Sequence, residues 1–239
     1  LPHAAPLLAA VDGVMAQAPL RHLVTPGGFT MSVAMTNCGA LGWTSDRRGY
    51  RYSAIDPVSG QPWPAMPAVF AQLAGEAAAA AGFEGFAPDA CLINQYLPGS
   101  RLSLHQDRDE RDLGAPIVSV SLGMPVTFLF GGLARADKTA RVLLQHRDVV
   151  VWGGVDRLRH HGVLPLKDQP HPLLGGPAQR LPARQRQQDP HRMGHLPPGR
   201  PRPGARPPGA ARRLRGPRAT PRAHRPRRVV GVRATRGRG

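Results

Sequence analysis

The spacing of apolar residues changes near residue 89, and this change predicts two kinds of local structure. Before it, apolar residues recur at helical spacing in two segments; after it, short apolar or alternating runs are separated by turn residues. Helices repeat every 3.6 residues and strands every two. The chain should therefore place helices in its first part and many short strands in its second.

Two helices are predicted in the first part. One covers residues 4–18, and the other is the Ala-rich segment PAVFAQLAGEAAAAAG, which ends at a glycine. The residues predicted to share one helix face are Leu7, Leu8, Val11 and Met15 in the first helix and Val69, Phe70, Leu73 and Ala77 in the second. Between the helices, VTPGGFTMSVAMTNCG predicts a hairpin-like strand, whereas the aromatic LGWTSDRRGYRYSAIDP predicts a loop.

Six strands are predicted after residue 89. Short strands with Gly and Pro turns favour a sandwich or barrel over a parallel sheet, and a jelly roll with helices on one side fits best. The fold class expected is therefore mainly β. The predicted strands are ACLINQY, RLSLHQD, APIVSVSLG, PVTFLFGG, RVLLQH and DVVVWGG.

The last quarter of the chain has a different composition. Of the 32 basic residues, 18 lie from position 180 onward, all arginine, against one acid, so that the preceding part holds 14 basic and 14 acidic residues. No aromatic residue follows Trp152. Such a tail cannot bury enough apolar area to offset chain entropy, which predicts disorder. The predicted division is a folded domain over 1–175 and a basic, low-complexity tail over 176–239.

The two cysteines, Cys38 and Cys91, form no ligand or disulfide pattern, and we expect a reducing compartment, the cytoplasm. No apolar run is long enough for a membrane span. The opening segment lacks a charged n-region and is interrupted by Asp12, so no secretory signal is expected.

The stretch LSLHQDRDE places His105 and Asp107 two positions apart at the end of a predicted strand. A period of two brings both side chains to one face, as two ligands of a facial triad of two histidines and one carboxylate require. Downstream candidates for the third ligand are His146, His160, His161 and His171. By itself the pair is weak evidence, because a strand end followed by a solvated acidic loop gives the same pattern.

A wider set of motifs is more specific. The chain resembles the AlkB family of iron(II)- and 2-oxoglutarate-dependent dioxygenases, which repair alkylated nucleic acids, almost continuously from about residue 8 to about residue 173. The matching motifs are VTPGGFTMSVAMTNCGALGWT, PWPAMP, PDACLINQYLPGSRLSLHQDRDE, APIVSVSLG, FLFGGL, and DVVVWGG followed by RLRHHG.

The resemblance implies a double-stranded β-helix, the jelly-roll form, and a role for particular residues. It implies His105, Asp107 and His161 as catalytic ligands of iron(II). Cofactor-binding positions, with 2-oxoglutarate as the co-substrate, are Asn94, Tyr96, Tyr50, Tyr52 and, by position, Arg184. Substrate-binding positions are Trp43, which stacks on a flipped base, Asp109, which favours a cationic methylated base, and Arg135. Without the resemblance, strand packing, a lid or core tryptophan and solvated surface charges would be the preferred explanations of these residues.

The activity implied is oxidative demethylation of alkylated bases, which uses O2 and 2-oxoglutarate and releases formaldehyde, succinate and CO2. The partner implied is alkylated single- or double-stranded DNA, with RNA or a protein as alternative substrates, and the enzyme is expected to be a monomer. A second hypothesis from another class is a catalytically inactive β-domain with a basic nucleic-acid-binding tail.

The chain departs from the family at its closing strand. That strand carries an Arg-x-Asn-x-Thr-x-Arg pattern whose arginines bind the carboxylates of 2-oxoglutarate, but here residues 171–176, HPLLGG, are followed by PAQRLPARQRQQ. The closing strand is thus expected to be missing, and an out-of-frame tail is our hypothesis. The alternative is a genuine basic extension that binds phosphates non-specifically.

Overall fold

The computed structural model describes residues 4–167 and 229–236, and strands dominate them. The helices are α1 (Ala4–Gln17) and α2 (Ala68–Ala80), and a short 3-10 turn covers Gly154–Asp156. The strands are β1 (Arg21–Val24), β2 (Thr30–Gly39), β3 (Gly42–Asp46), β4 (Gly49–Ser53), β5 (Ala90–Tyr96), β6 (Leu102–His105), β7 (Ile117–Gly123), β8 (Val126–Phe130), β9 (Ala140–Leu144), β10 (Val149–Trp152), β11 (His161–Val163) and β12 (Val229–Thr235).

Both predicted helices are present and cover one face of the larger sheet. Leu7, Val11 and Val14 of α1 are buried, as are Phe70, Ala74 and Ala78 of α2. Leu7, Val11, Val14 and Phe70 join one apolar cluster with residues of four strands of that sheet: Cys38, Cys91, Ile93, Val120, Leu122 and Val232. Burial of this apolar face, more than helix propensity, fixes both helices in place.

Two antiparallel sheets form the jelly roll. The larger has the order β1-β2-β5-β12-β7-β10, and the smaller has the order β6-β11-β8-β9. A second apolar cluster contains Met35 and Leu92 of the larger sheet and Phe128 of the smaller one, and Trp152 also belongs to it. The prediction of a mainly β, jelly-roll fold with flanking N-terminal helices is confirmed.

The segment predicted as a loop is instead the hairpin β3–β4. The strands pair from Gly42↔Ser53 to Asp46↔Gly49, and Gly49 has a φ of 124° at the turn. Arg51 closes the hairpin with a bidentate ion pair to Asp46, at 2.7 and 3.0 Å. The prediction was wrong because the polar turn residues hid the alternation of aromatic and polar positions on either side.

The expectation that the closing strand is missing is also wrong. The segment VVGVRAT within the Arg-rich tail forms β12, which pairs antiparallel with both β5 and β7. Val232 and Ala234 are buried. The gap between two strands offers unpaired N–H and C=O groups on both sides, which favours any β-branched segment long enough to fill it. The rest of the predicted tail, including the boundary at 175/176, lies outside the described residues and stays a prediction.

No helix among the described residues is both long and apolar enough to cross a membrane.

Candidate active site

Three predicted metal ligands meet where the smaller sheet pairs β6 with β11. Antiparallel register sets His161 directly opposite His105, and Asp107 follows two residues after the end of β6. The candidate ligand atoms of the three side chains all lie within 4.8 Å of one another. The local motif therefore supplies two ligands, and strand pairing across 56 residues supplies the third.

Hydrogen bonds fix the tautomer of both histidines. Nδ1 of His105 lies 2.9 Å from the carbonyl oxygen of Ser103, and Nδ1 of His161 lies 3.1 Å from that of Arg159. Since a carbonyl oxygen can only accept, each Nδ1 carries a proton, which leaves Nε2 as the atom that can bind a metal. Burial lowers the pKa of His161 despite the neighbouring carboxylate of Asp107, which keeps the ring neutral at pH 7.

Both Nε2 atoms point to the carboxylate of Asp107. The distance is 3.5 Å from His105 to Oδ1 and 3.2 Å from His161 to Oδ2. Nε2 of His161 is buried and has no hydrogen-bond partner. A buried lone pair facing a carboxylate is costly, whereas a divalent cation satisfies all three groups. The donor set thus fits iron(II).

Aromatic rings close one side of this centre. Trp152 lies 4.9 Å and Phe128 6.0 Å from the His161 ring, measured between centroids. His161 and Asp107 are buried, while the side chain of His105 is 33% exposed. The centre is accordingly dry behind His161 and open on the side of His105.

Asp107 is held by two arginines that the sequence analysis did not identify. Arg233 of β12 places Nη1 2.6 Å from Oδ2, and Arg157 donates from Nη1 to the backbone oxygen of Asp107 at 2.6 Å. Burial alone would raise the pKa of Asp107, but the Arg233 guanidinium holds it well below its usual range. The carboxylate is ionised and ready to bind a cation.

A buried polar cluster continues from Arg157 to the hairpin. Arg157 Nη2 lies 3.4 Å from Glu110, the hydroxyl of Tyr52 donates to Glu110 at 2.8 Å, and the same hydroxyl lies 3.3 Å from the Thr235 hydroxyl. Burial, with the carboxylate of Glu110, raises the pKa of Tyr52. Glu110 and Arg157 stand in the quoted motifs LSLHQDRDE and RLRHHG, but nothing in the local pattern marks either as buried.

The other predicted 2-oxoglutarate residues divide into two groups. Asn94 and Tyr96 are buried on β5, opposite β12, and Asn94 Oδ1 has no hydrogen-bond partner. Burial and the charge of Asp107 raise the pKa of Tyr96, an effect that Arg233 opposes. Tyr50, by contrast, is 46% exposed on the hairpin, where its ring stacks on Trp43. Arg184 lies outside the described residues.

The predicted substrate residues Trp43 and Asp109 are brought together. Nε1 of Trp43 donates to Asp109 at 2.9 Å, and its ring stacks on Tyr50 at 5.5 Å with planes 16° apart. Arg135 is exposed and donates to the backbone oxygen of Leu104, next to His105. An aromatic plane, a carboxylate and an arginine therefore lie around the open side of the triad.

The remaining histidine candidates do not join the centre. Nδ1 of His146 accepts from the backbone N–H of Gly123 at 3.0 Å. His160 directly precedes β11, and its Nδ1 is buried without a hydrogen-bond partner. His171 lies outside the described residues.

A jelly roll that holds two histidines and one carboxylate around a single point defines a mononuclear non-haem iron oxygenase. The model of the 2OG-Fe(II) oxygenase superfamily matches residues 3–194. The chain is 61% identical over 169 residues to the alpha-ketoglutarate-dependent dioxygenase AlkB of Salmonella typhimurium, which covers 71% of this chain and 78% of that protein. This chain belongs to the AlkB family of the 2OG-Fe(II) oxygenase superfamily.

Two further comparisons agree. The nucleic acid dioxygenase ALKBH1 of Mus musculus is 34% identical over 125 residues, which cover 52% of this chain and 32% of the mouse protein. The solved structure of OsALKBH1 superposes with a TM-score of 0.57 and 28% identity, covering 68% of this chain and 80% of that one. The chain is an iron(II)- and 2-oxoglutarate-dependent dioxygenase. Nothing in its described residues favours the inactive β-domain, whose premise was the missing strand.

Proposed function

We propose that this chain oxidatively removes N-alkyl groups from damaged bases in single- and double-stranded DNA, and in RNA, with His105, Asp107 and His161 holding the metal. The observation that carries the proposal is the convergence of the Nε2 atoms of His105 and His161 on the buried carboxylate of Asp107. The chemistry that iron(II) and 2-oxoglutarate supply when bound is O2-dependent hydroxylation of the alkyl carbon, coupled to decarboxylation of 2-oxoglutarate to succinate. Spontaneous breakdown of the hydroxymethyl product then releases formaldehyde.

The protein positions a base through the hairpin. A flipped base needs an aromatic plane against its face, and Trp43 supplies one that Tyr50 and Asp109 hold in place. The carboxylate of Asp109 favours a base that carries positive charge after N-methylation and offers nothing to a neutral base. Arg135, at the edge of the triad, is placed to bind a phosphate of the same strand.

The test is release of formaldehyde from an oligonucleotide that carries N1-methyladenine, with iron(II) and 2-oxoglutarate supplied. We expect turnover of DNA and RNA oligonucleotides, none of an unmodified strand, and a reduced preference for the cationic base in Asp109→Asn. Succinate formation without formaldehyde from any methylated strand would exclude nucleic acid as the substrate and direct attention to proteins.

We also propose that Arg233 binds a carboxylate of 2-oxoglutarate in place of the arginine expected near position 184. It is a buried cation on the strand next to Asn94 and Tyr96, and its Nε has no hydrogen-bond partner. Burial would lower the pKa of Arg233, yet the carboxylates around it raise the pKa instead, so that it stays charged. A planar guanidinium suits a carboxylate better than an ammonium does.

An anaerobic titration tests this role without turnover. Iron(II) followed by 2-oxoglutarate should give the charge-transfer absorption band of the chelate, and Arg233→Met should need at least tenfold more 2-oxoglutarate, since a lost charge-assisted hydrogen bond costs roughly 1.5–3 kcal/mol. Arg236→Met is the matched control, because Arg236 is part-exposed and lies 3.9 Å from Asp112. If Arg233→Met and Arg236→Met require the same concentration of 2-oxoglutarate for half-saturation, the assignment of Arg233 is refuted.

We further propose that the enzyme works in the cytoplasm. Cys38 and Cys91 are buried free thiols that face each other in the register of β2 and β5. Free thiols in such a pair persist best in a reducing compartment.

A further inference from the structure

The side chain of Gln106, which stands between His105 and Asp107 in the sequence, joins three segments of the chain. Its amide Nε2 donates to the backbone oxygen of Leu158 at 2.6 Å and to that of Leu133 at 3.3 Å. A side-chain amide has two N–H donors, so one group can serve both carbonyls. Gln106 thus connects the end of β6 with the loop that follows β8 and with the segment that precedes β11.

The segment before β11 holds two of the three candidate ligands. Arg157 donates from Nη1 to the backbone oxygen of Asp107 at 2.6 Å. The backbone oxygen of Arg159 accepts from Nδ1 of His161 at 3.1 Å. The carbonyl that Gln106 reaches in this segment belongs to the residue between these two arginines. A shift of the segment relative to β6 would therefore disturb both ligand contacts at once, and the bond from Gln106 opposes that shift.

The loop after β8 is tied to the chain on both sides of His105. On one side, Arg135 of the loop donates to the backbone oxygen of Leu104. On the other side, Gln106 donates to the backbone oxygen of Leu133 in the loop. Because residues before and after His105 are both bound to one loop, the backbone of this ligand is held from both directions.

Backbone hydrogen bonds connect the loop with the segment before β11. The N–H of His160 donates to the Gly132 carbonyl at 2.9 Å, and the N–H of Gly131 donates to the His160 carbonyl at 2.7 Å. A Cβ atom at Gly131 would lie only 3.2 Å from that same carbonyl oxygen, so the two segments pack closely. The three segments are thus linked pairwise around the candidate ligands, and Gln106 bonds both of the others from β6.

We propose that Gln106 is a positioning residue of the metal centre, which sets the spacing between the segment of His105 and Asp107 and the segment of His161. Gln106 is no ligand itself, because its Nε2 donates to two carbonyls and an amide nitrogen has no free lone pair for a metal. A residue of this kind raises metal affinity, since the ligands are held in place before the cation binds. This inference rests on the part of the proposed function that assigns the three metal ligands.

The test is titration of the full chain with cobalt(II), read from metal affinity and from the absorption spectrum of the bound ion. Gln106→Met removes both donors and keeps the length of the side chain. It should weaken cobalt(II) binding about tenfold, the lower end of the range for residues that support a ligand. At saturating cobalt(II) the d–d absorption should also change shape, because the angles between the ligands are no longer held. A loss of overall stability alone would leave that spectrum unchanged.

Gln106→Glu separates positioning from charge. The new carboxylate has nearly the shape of the amide, but at pH 7 it only accepts hydrogen bonds and would face two carbonyl oxygens. Its charge alone would attract a divalent cation and tighten binding. Positioning instead predicts that Gln106→Glu binds cobalt(II) at least tenfold more weakly than the parent protein, as Gln106→Met does. Binding as tight as that of the parent, or tighter, would overturn the proposal.

Two control variants lose a comparable hydrogen bond elsewhere. Gln72→Met removes an exposed amide that donates to Glu76 at 2.8 Å on α2, and Thr36→Val removes a buried hydroxyl that donates to the Ala18 carbonyl at 2.7 Å. Both should keep the cobalt(II) affinity and spectrum of the parent, although Thr36→Val should unfold at a lower urea concentration. If Gln106→Met has the affinity and spectrum of Thr36→Val, the proposal is overturned. Failure of the parent to bind cobalt(II) would overturn the ligand assignment itself, and this inference with it.

Discussion

The metal centre and the β3–β4 hairpin both contain aromatic rings and a carboxylate, but they fix these groups in different ways. At the centre, Asp107 and His161 are buried. Asp107 accepts hydrogen bonds from Arg157 and Arg233, and His161 donates from Nδ1 to the backbone oxygen of Arg159. On the hairpin, Tyr50 is 46% exposed and stacks on Trp43, and the indole N–H of Trp43 donates to Asp109, an exposed residue of the segment that follows β6. Burial gives the centre a fixed geometry and a dry environment, whereas exposure lets the hairpin receive a large substrate.

Removing a ligand from the centre should have the largest effect. His161→Ala should lower metal affinity and formaldehyde release by more than the roughly 10–100-fold typical of residues that only support a ligand. The measurements are iron(II) or cobalt(II) titration and turnover. His160→Ala, one residue away and directly before β11, should retain both. If the two variants behave alike, the ligand assignment is wrong.

Arg157→Met should have the second-largest effect, because Arg157 supports the centre without touching a metal. The variant leaves the Glu110 carboxylate buried without its cation, and breaking a buried pair costs about 3–5 kcal/mol of unfolding free energy. Metal affinity should also fall, since the backbone of Asp107 loses its hydrogen bond. The double variant Arg157→Met/Glu110→Gln should recover stability in urea denaturation but not metal affinity. If the double variant recovers both stability and metal affinity, Arg157 has only a structural role.

Substitutions on the hairpin should lower turnover and leave the metal centre unchanged. Trp43→Ala should lower kcat/KM for a methylated oligonucleotide about 10- to 100-fold, as expected for a lost stacking plane. The charge-transfer band of the metal–2-oxoglutarate chelate should be unchanged. Trp43→Phe keeps an aromatic plane and loses only the N–H that binds Asp109. Its kcat/KM should therefore lie between the values of Trp43→Ala and the parent protein. A weakened band in Trp43→Ala would mean that the two regions are coupled.

Lowering the pH should have the smallest effect on stability. This experiment compares the buried ion pair of Asp56 and Arg21 with the exposed pair of Asp46 and Arg51. Burial would raise the pKa of Asp56, but hydrogen bonds from Arg21, Val58 N–H and Ser59 lower it to about 2. A lowered folded-state pKa stabilises the protein above the unfolded pKa of 3.8, and this stability is lost as the pH falls from about 4 to 2. Asp56→Asn should therefore remove about 1–2 kcal/mol at pH 7 and flatten that part of the profile.

Asp46 provides the exposed control. Its hydrogen bond from Arg51 lowers its pKa to about 2 as well, but it lies on the surface of the hairpin. Solvent screens such a pair, and Asp46→Asn should leave thermal and urea stability unchanged. Equal losses in Asp56→Asn and Asp46→Asn would show that burial does not decide the strength of these pairs.

Much of the fold followed from short-range pattern. The Ala-rich α2 and the strands after residue 89 were predictable because each shows its own period over several residues. The hairpin was not, since its turn residues interrupt the alternation in a segment of only 12 residues, from Gly42 to Ser53. The candidate site divides in the same way, for His105 and Asp107 share a motif whereas Glu110 and Arg157 become partners only through folding.

The sequence by itself determined the family and the jelly roll and predicted the three candidate metal ligands, because these depend on motifs in which position and residue type are local. It did not determine which segment closes the larger sheet or which cation neutralises Asp107. The Arg-rich composition of the tail predicted disorder, yet tertiary structure places Val229–Thr235 between β5 and β7 and brings Arg233 to 2.6 Å from a carboxylate 126 positions earlier. The physical reason is that strand pairing satisfies backbone groups regardless of sequence distance, so only the assembled sheet decides which segment fills its gap.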